Sequence, residues 1–255
     1  WTSALGNNTD AYTHVANGNI YLRAKKEEKI LPASVIKDLL EEKVVNIEKA
    51  ESRPVKKKEK EQIKEDIIHS LLPQAFTKSS FVSGYIDTNN QLLLINTSSK
   101  NKADDFMSLL RKAIGTLPVE PIRKDGTIEL LLTHWLKDRA LPKQFEFEME
   151  AELKSPEEDG ASVKLKQQDL TADEVTRHME IGKQVIKLAV NWQERITFII
   201  QDDISIKRVK FGELIKEQNE DIPNEDKLAK MDADFTLMAA EFGELLPYII
   251  KEVGE

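Results

Sequence analysis

The sequence predicts an α+β fold with two related sheet subdomains, each a hairpin followed by a helix, together with a projecting helical arm. Three observations support this class. Apolar residues recur at intervals of three and four on both sides of a lysine-rich tract, which predicts two helices. Pairs of apolar runs separated by short turn-forming sequences predict hairpins. Residues with helical spacing follow these hairpins, and that order of elements favours α+β.

The chain begins with a predicted hairpin. Asn17-Gly18 is a tight-turn dipeptide, and residues 20–24 are expected to form the second strand. The charged run at residues 25–29 is expected to lead from this strand into the arm.

The helical arm is predicted at residues 32–76. Its first helix must end before Pro54, because a proline inside a helix loses a hydrogen bond and clashes with the preceding turn. The second helix ends at Pro73 for the same reason. Two helices with matching apolar faces and a short connection favour an antiparallel pair, so the tract at residues 53–60 lies at the far end of the arm.

The middle of the chain continues with a second hairpin at residues 81–96, closed by an Asp-Thr-Asn-Asn turn, and a helix from about residue 102 to 114. Residues 128–136 fit either a helix or a strand, and periodicity does not decide between them. Residues 145–153 and 162–166 are predicted strands, the latter with both of its lysines on one face.

The last part of the chain contains a third hairpin and two predicted helices. Thr171 and Glu174 form a capping-box pattern, which predicts a helix running from there toward Val190. The hairpin occupies residues 192–210, and a long amphipathic helix is predicted at residues 227–253.

These elements suggest three regions. Residues 1–31 and 77–165 form a central sheet region, residues 32–76 form the arm or tip, and residues 166–255 form a second hairpin subdomain with a helical base.

The composition argues against several kinds of site. The chain has no cysteine, so disulfides, thiolate zinc sites and cysteine nucleophiles are excluded, as expected in a reducing cytoplasm. The four histidines lie far apart, and no phosphate-loop, dinucleotide or nucleophile-elbow motif occurs, so we expect no metal, no cofactor and no enzyme. Apolar runs are far shorter than the roughly 20 residues of a membrane span, so no membrane partner is expected.

The charge is distributed unevenly. The formal net charge is −8, but residues 201–255 hold 14 acidic and 7 basic side chains, so the rest of the chain is nearly neutral. Basic residues recur at hairpin edges and on the arm, which indicates contact with the phosphates of duplex DNA, although each cluster alone is more typical of a solvated surface than of a site. Aromatic residues are too sparse there to stack single strands. The candidate DNA-binding residues are Lys25, Lys26, Lys29, Arg53, Lys56, Lys57, Lys58, Lys60, Arg111, Lys112, Lys164, Lys166, Lys207, Arg208 and Lys210.

Two other functions stay open. Carboxylates of the type that hold divalent metal in nucleases occur in two turns and on the last helix, at Asp87, Asp202, Asp203, Asp232 and Asp234. Turn chemistry also explains the first three, and the last two are two residues apart on a helix and do not face each other. Alternatively, the arm binds a protein partner as a scaffold, and its lysines serve solubility.

Five stretches of the sequence are distinctive: DAYTHVANG at residues 10–18, KEEKILP at 26–32, HSLLPQAF at 69–76, KQQDLT at 166–171 and DADF at 232–235. Together they resemble the RdgC family of recombination-associated DNA-binding proteins of proteobacteria. The resemblance implies a non-enzymatic, nucleoid-associated, ring-shaped homodimer. It also implies that the protein binds double-stranded DNA without sequence specificity and binds single strands more weakly. Bound protein would then limit the access of the recombinase RecA to the DNA.

The resemblance also assigns individual residues. It places the arm at a tip contact between two copies, with Phe76 in the dimer interface, and helical segments of the C-terminal half at a base contact. It adds Gln168 to the DNA-binding residues, although Gln167 stands where the family has a lysine. Because Trp1 matches an internal tryptophan of the family, we expect an N-terminal segment to be missing.

Overall fold

The computed structural model describes residues 1–5, 11–122, 128–157, 159–223 and 226–254. Within these residues it contains nine strands, seven α-helices and one 3-10 helix. The strands form two antiparallel sheets, which confirms the predicted α+β class.

A 3-10 helix (Leu72–Gln74) lies between the second α-helix and the third strand. In chain order the strands and α-helices are β1 (Thr13–Ala16), β2 (Asn19–Lys29), α1 (Ala33–Glu51), α2 (Lys57–Leu71), β3 (Thr77–Asp87), β4 (Leu92–Asn96), α3 (Lys100–Ile114), α4 (Ile128–Lys137), β5 (Phe145–Lys154), β6 (Ser162–Lys166), α5 (Asp173–Glu180), β7 (Gln184–Trp192), β8 (Ile196–Gln201), β9 (Ile206–Phe211), α6 (Glu213–Glu217) and α7 (Lys227–Gly254).

The first sheet has the strand order β1-β2-β3-β4. Its first hairpin is confirmed: Val15 lies opposite Ile20, and Asn17 and Gly18 adopt φ values of 49° and 79°, as a tight turn between right-twisted strands requires. Strand β2 continues to Lys29, so the charged run expected to act as a linker is part of the strand.

The arm is a helical hairpin, as predicted. Helix α1 has 19 residues, about 28 Å of helix, and ends at Ser52, whose φ of 51° is left-handed. At the other end of the hairpin, the amide of Ile30 donates to the carbonyl of Phe76 (2.8 Å). Because the chain enters α1 and leaves α2 at this one place, the two helices run antiparallel and the lysine tract lies at the far end.

The second sheet has the strand order β6-β5-β7-β8-β9. One of its faces packs against helices α4, α5 and α7. The cluster includes Leu132, Val175, Leu188, Ile200 and Leu245, each with at most 1% of its surface exposed. Because successive residues of a strand point to opposite faces, the alternate residues form the other face of the sheet.

The helix predicted to run from Thr171 toward Val190 forms only from Asp173 to Glu180, and the remainder of that prediction is wrong. Helix α5 ends at Glu180, Gly182 follows with a φ of 92°, and residues 184–192 form β7. Strand β7 hydrogen-bonds to β5 on one side and to β8 on the other, so pairing with two neighbours outweighs its helical spacing. Thr171 does not cap the helix, because the N-cap residue is Ala172 and the Thr171 hydroxyl donates to Asp169 Oδ1 (2.7 Å).

Two other segments are clarified by the structure. Residues 128–137, which fit either a helix or a strand by spacing, form helix α4. Strands β5 and β6, which the sequence-based division groups with the central region, belong to the second sheet, where β5 pairs with β6 on one side and with β7 on the other.

By contacts, the chain divides into two units. One comprises residues 1–2 and 23–83 and contains the helical hairpin; the other comprises residues 3–22 and 84–255 and contains the second sheet. None of the helices in the described part of the chain combines the length and apolar character that crossing a membrane requires.

Candidate nucleic-acid interface

The second sheet carries a groove of about 220 Å³ on the face opposite the helices. Five cations and two carboxylates line it, so the groove has a positive balance that favours anions. These charged residues are Lys164, Lys166, Lys187, Lys207, Arg208, Glu150 and Glu152.

The register of the strands explains why these side chains meet. Lys164, Glu152, Lys187 and Gln201 lie directly opposite one another on β6, β5, β7 and β8. Residues opposite one another on adjacent strands share a face and lie about 5 Å apart. Residues distant in sequence therefore form a single row across the sheet.

Arg208 reaches the groove through a β-bulge. Alternation places Lys207 and Arg208 on opposite faces of β9. However, the register shifts between Thr197 and Ile199, which lie opposite Lys210 and Lys207, and Arg208 has a left-handed φ of 52°. The extra residue redirects its side chain, so Lys207 and Arg208 both line the groove.

Glu152 organises one side of the groove. Its carboxylate lies 2.7 Å from Lys187 Nζ and 3.6 Å from Lys164 Nζ. Burial raises the pKa of Glu152, but the hydrogen bond and charge of Lys187, together with Lys164, outweigh it and hold the pKa below its usual value. Glu152 is therefore ionised at neutral pH and keeps the two lysines in place.

On the other side, Arg208 Nη1 lies 2.8 Å from both carboxylate oxygens of Glu150. Lys166 and Lys207 form no ion pair with any residue that the structure describes. These two lysines are the cations of the groove that remain available to an external anion.

Arg53 differs from the lysines of the tract because it forms ion pairs within the arm. Arg53 donates from Nη1 and Nη2 to Glu59 (2.8 Å each), and its Nη2 also lies 2.6 Å from Glu51. The hydrogen bond with Glu59 raises the pKa of Arg53 further above its usual value. Arg53 therefore fixes the connection between the helices. The other exposed cations of the tract are Lys56, Lys57, Lys58 and Lys60.

The candidates on β2 are engaged locally. The Nζ atoms of Lys25 and Lys26 lie 2.5 and 3.4 Å from the carboxylate of the glutamate two residues further on. Lys29 Nζ donates to the carbonyl of Ala75 (3.1 Å).

Four further candidates, among them Lys210, do not line the groove. Lys210 is exposed on β9. Arg111 and Lys112 are exposed in the last turn of α3. Gln168 follows β6, is half-buried, and donates its backbone amide to the carbonyl of Met149 (3.2 Å).

Lys187 is a groove residue that sequence reasoning missed. It lies in the segment interpreted as helix, where its face was not considered. The apolar Val185–Val190 segment between turn-forming residues was the available signal for a buried strand.

Phe76 has 85% of its surface exposed, at the end of the arm remote from the lysine tract. It is therefore not an ordinary core residue. Its aromatic ring therefore offers most of its apolar surface to any molecule that packs against it.

Two of the three turn carboxylates accept local hydrogen bonds. Asp87 Oδ1 accepts hydrogen bonds from the amides of Asn89 and Asn90 (2.9 and 3.0 Å), and Asp203 Oδ1 accepts one from the amide of Ser205 (2.9 Å). Among the described residues, no group of three or more His, Asp or Glu side chains is placed to hold a metal ion.

Comparison with known proteins gives one family. Residues 1–255 match the family model described as "Putative exonuclease, RdgC". The chain is 47% identical over 255 residues to "Recombination-associated protein RdgC" of Pseudoalteromonas translucida (strain TAC 125). It is 45% identical over 254 residues to the proteins of the same name from Yersinia pestis (strain Pestoides F) and Yersinia pseudotuberculosis serotype O:1b (strain IP 31758). Each match covers 100% of this chain and 84% of the relative.

Proposed function

Because this chain belongs to the RdgC family, we propose that it is a non-enzymatic protein that binds double-stranded DNA without reading its sequence. The observation that carries the proposal is the groove on the second sheet, where five cations from three strands converge. Four of the five are lysines. A lysine is a point charge on a flexible stem, so it suits phosphates better than base edges.

The proposed protein acts as a homodimer that closes into a ring. The exposure of Phe76 supports a contact between copies at the arm. A closed ring turns weak phosphate contacts into a topological grip, and bound duplex is then withheld from RecA filaments. In the cell, such a protein associates with the nucleoid.

The test is the binding of a fluorescent duplex across a series of salt concentrations. The groove variant changes Lys164, Lys166 and Lys207 to glutamine. We expect weaker binding and a shallower dependence of log K on log salt, by up to about 0.9 for each phosphate that the variant no longer neutralises. A matched control neutralises three exposed lysines outside the groove: Lys102, Lys227 and Lys251. Equal binding by the groove and control variants would refute the groove as the DNA site.

A second variant tests the arm. Changing Lys56, Lys57 and Lys58 to glutamine makes the salt dependence shallower if the arm also contacts phosphate. An unchanged slope confines DNA binding to the groove and removes these lysines from the site.

The same samples discriminate between the alternatives. Shortening of the duplex on addition of Mg²⁺ would identify the nuclease that the family description names. Absence of duplex binding by the unmodified protein at low salt would favour the protein-binding scaffold. Strand exchange by RecA that is unchanged at saturating protein would refute the proposed antagonism.

A further inference from the structure

The groove holds its own anions. Glu150 and Glu152 lie among the cations that line the groove. Three of the five cations lie within ion-pair distance of these carboxylates: Lys164, Lys187 and Arg208. A phosphate entering the groove therefore meets an internal competitor.

The two carboxylates differ in how firmly they are held. The Glu152 side chain is 16% exposed and lies between two lysines. The Glu150 side chain is 34% exposed and pairs with one residue, Arg208, whose side chain is 60% exposed. Water and salt screen an exposed pair, so this pair contributes little to the stability of the fold and separates easily. Glu150 is therefore the carboxylate that a phosphate can displace, and Glu152 is the carboxylate that stays in place.

The bulge in β9 holds Arg208 in a position to contact either Glu150 or a DNA phosphate. Its left-handed backbone directs the side chain across the sheet toward Glu150, so the guanidinium is held over the groove in the free protein. Both contacts with Glu150 use a single nitrogen, Nη1. Arginine offers five N–H donors in a planar fork, which matches phosphate as well as carboxylate.

We propose that Glu150 is an internal substitute for phosphate, occupying Arg208 in the free protein and leaving it when a DNA phosphate binds. This inference rests on the proposed function. Because Glu150 competes with phosphate, the affinity of the protein for duplex DNA is lowered. The protein therefore dissociates from one position on the DNA and binds another, although five cations line the groove.

The test is Glu150→Gln, which removes the charge and keeps the size of the side chain. We expect duplex binding to tighten about twofold to fivefold, the range of an exposed ion pair. The salt dependence steepens by up to about 0.9, because the phosphate no longer replaces an anion already present. Glu150→Ser is a second variant of different shape, from which the same tightening is expected. Glu180→Gln is the matched control, since it removes an exposed carboxylate from α5, which packs against the opposite face of the sheet.

A double-mutant cycle distinguishes replacement of Glu150 by phosphate from a purely structural role of the Glu150–Arg208 pair. Arg208→Gln is expected to weaken binding more in the Glu150→Gln background than in the unmodified protein, since only the former leaves Arg208 unoccupied. Equal or weaker binding by Glu150→Gln and Glu150→Ser, with melting temperatures unchanged, would overturn the inference. That outcome leaves the proposed function intact if the groove-lysine variant still loses affinity, whereas failure of the unmodified protein to bind duplex refutes both.

Discussion

Replacement of Phe76 by serine is expected to weaken the proposed dimer without weakening the fold. Burying a phenylalanine side chain fully stabilises by about 1.5–3 kcal/mol. Phe76 starts 85% exposed, so most of this gain is available to a contact. If both copies bury Phe76 at a symmetric tip, Phe76→Ser costs about 2.5–5 kcal/mol of dimerisation free energy, or roughly 100-fold to several thousand-fold in Kd. The folded monomer loses at most about 0.5 kcal/mol, as for other surface substitutions.

Sedimentation equilibrium across a dilution series measures the first effect. Thermal unfolding, at concentrations where both proteins are monomeric, measures the second, and the melting temperature should shift by no more than about 2 °C. Ile181→Ser is the control, because Ile181 is also 74% exposed but lies in the turn after α5. A large fall in melting temperature with an unchanged dimer constant would show that Phe76 supports the fold and not the interface.

Three further predictions concern stability. Gly84→Ala should destabilise the fold by about 1–3 kcal/mol in urea unfolding, because an added Cβ would lie 2.6 Å from the backbone oxygen of Leu94; an unchanged midpoint would contradict this close approach. Glu241→Gln should lower the free energy of unfolding by about 1–3 kcal/mol, since Glu241 is 2% exposed and accepts two hydrogen bonds from Arg195. The matched change Glu244→Gln, at an exposed position, should lower it by less. The pKa of Glu152 is lower in the folded protein than in the unfolded chain, so ionised Glu152 stabilises the fold at a pH above its unfolded-state pKa. This stabilisation is lost as the pH falls through the folded-state pKa. The stability difference from Glu152→Gln should therefore be present at pH 7 and disappear in acid, and a pH-independent difference would refute the assignment.

Local chemistry in the sequence determined much of the fold. Pro54 and the apolar spacing around it predicted both helices of the arm, and Asn17-Gly18 predicted the first turn. Each of these signals acts within a few residues, so no knowledge of distant contacts was needed. The lysines of the arm and of β6 could be identified as exposed cations for the same reason.

Only the tertiary structure decided which residues share the groove. The segment around Lys187 has helical spacing but becomes a central strand, because β5 and β8 pair with it from both sides. Arg208 breaks the alternation of its strand through a bulge, and Glu150 reaches it from a strand 58 residues away in sequence. Register, bulges and face are set by pairing between distant segments, and neither composition nor spacing along one strand specifies them. The sequence by itself therefore determined that the chain is rich in candidate cations and where its turns and arm lie, and the pairing of strands decided which charges meet.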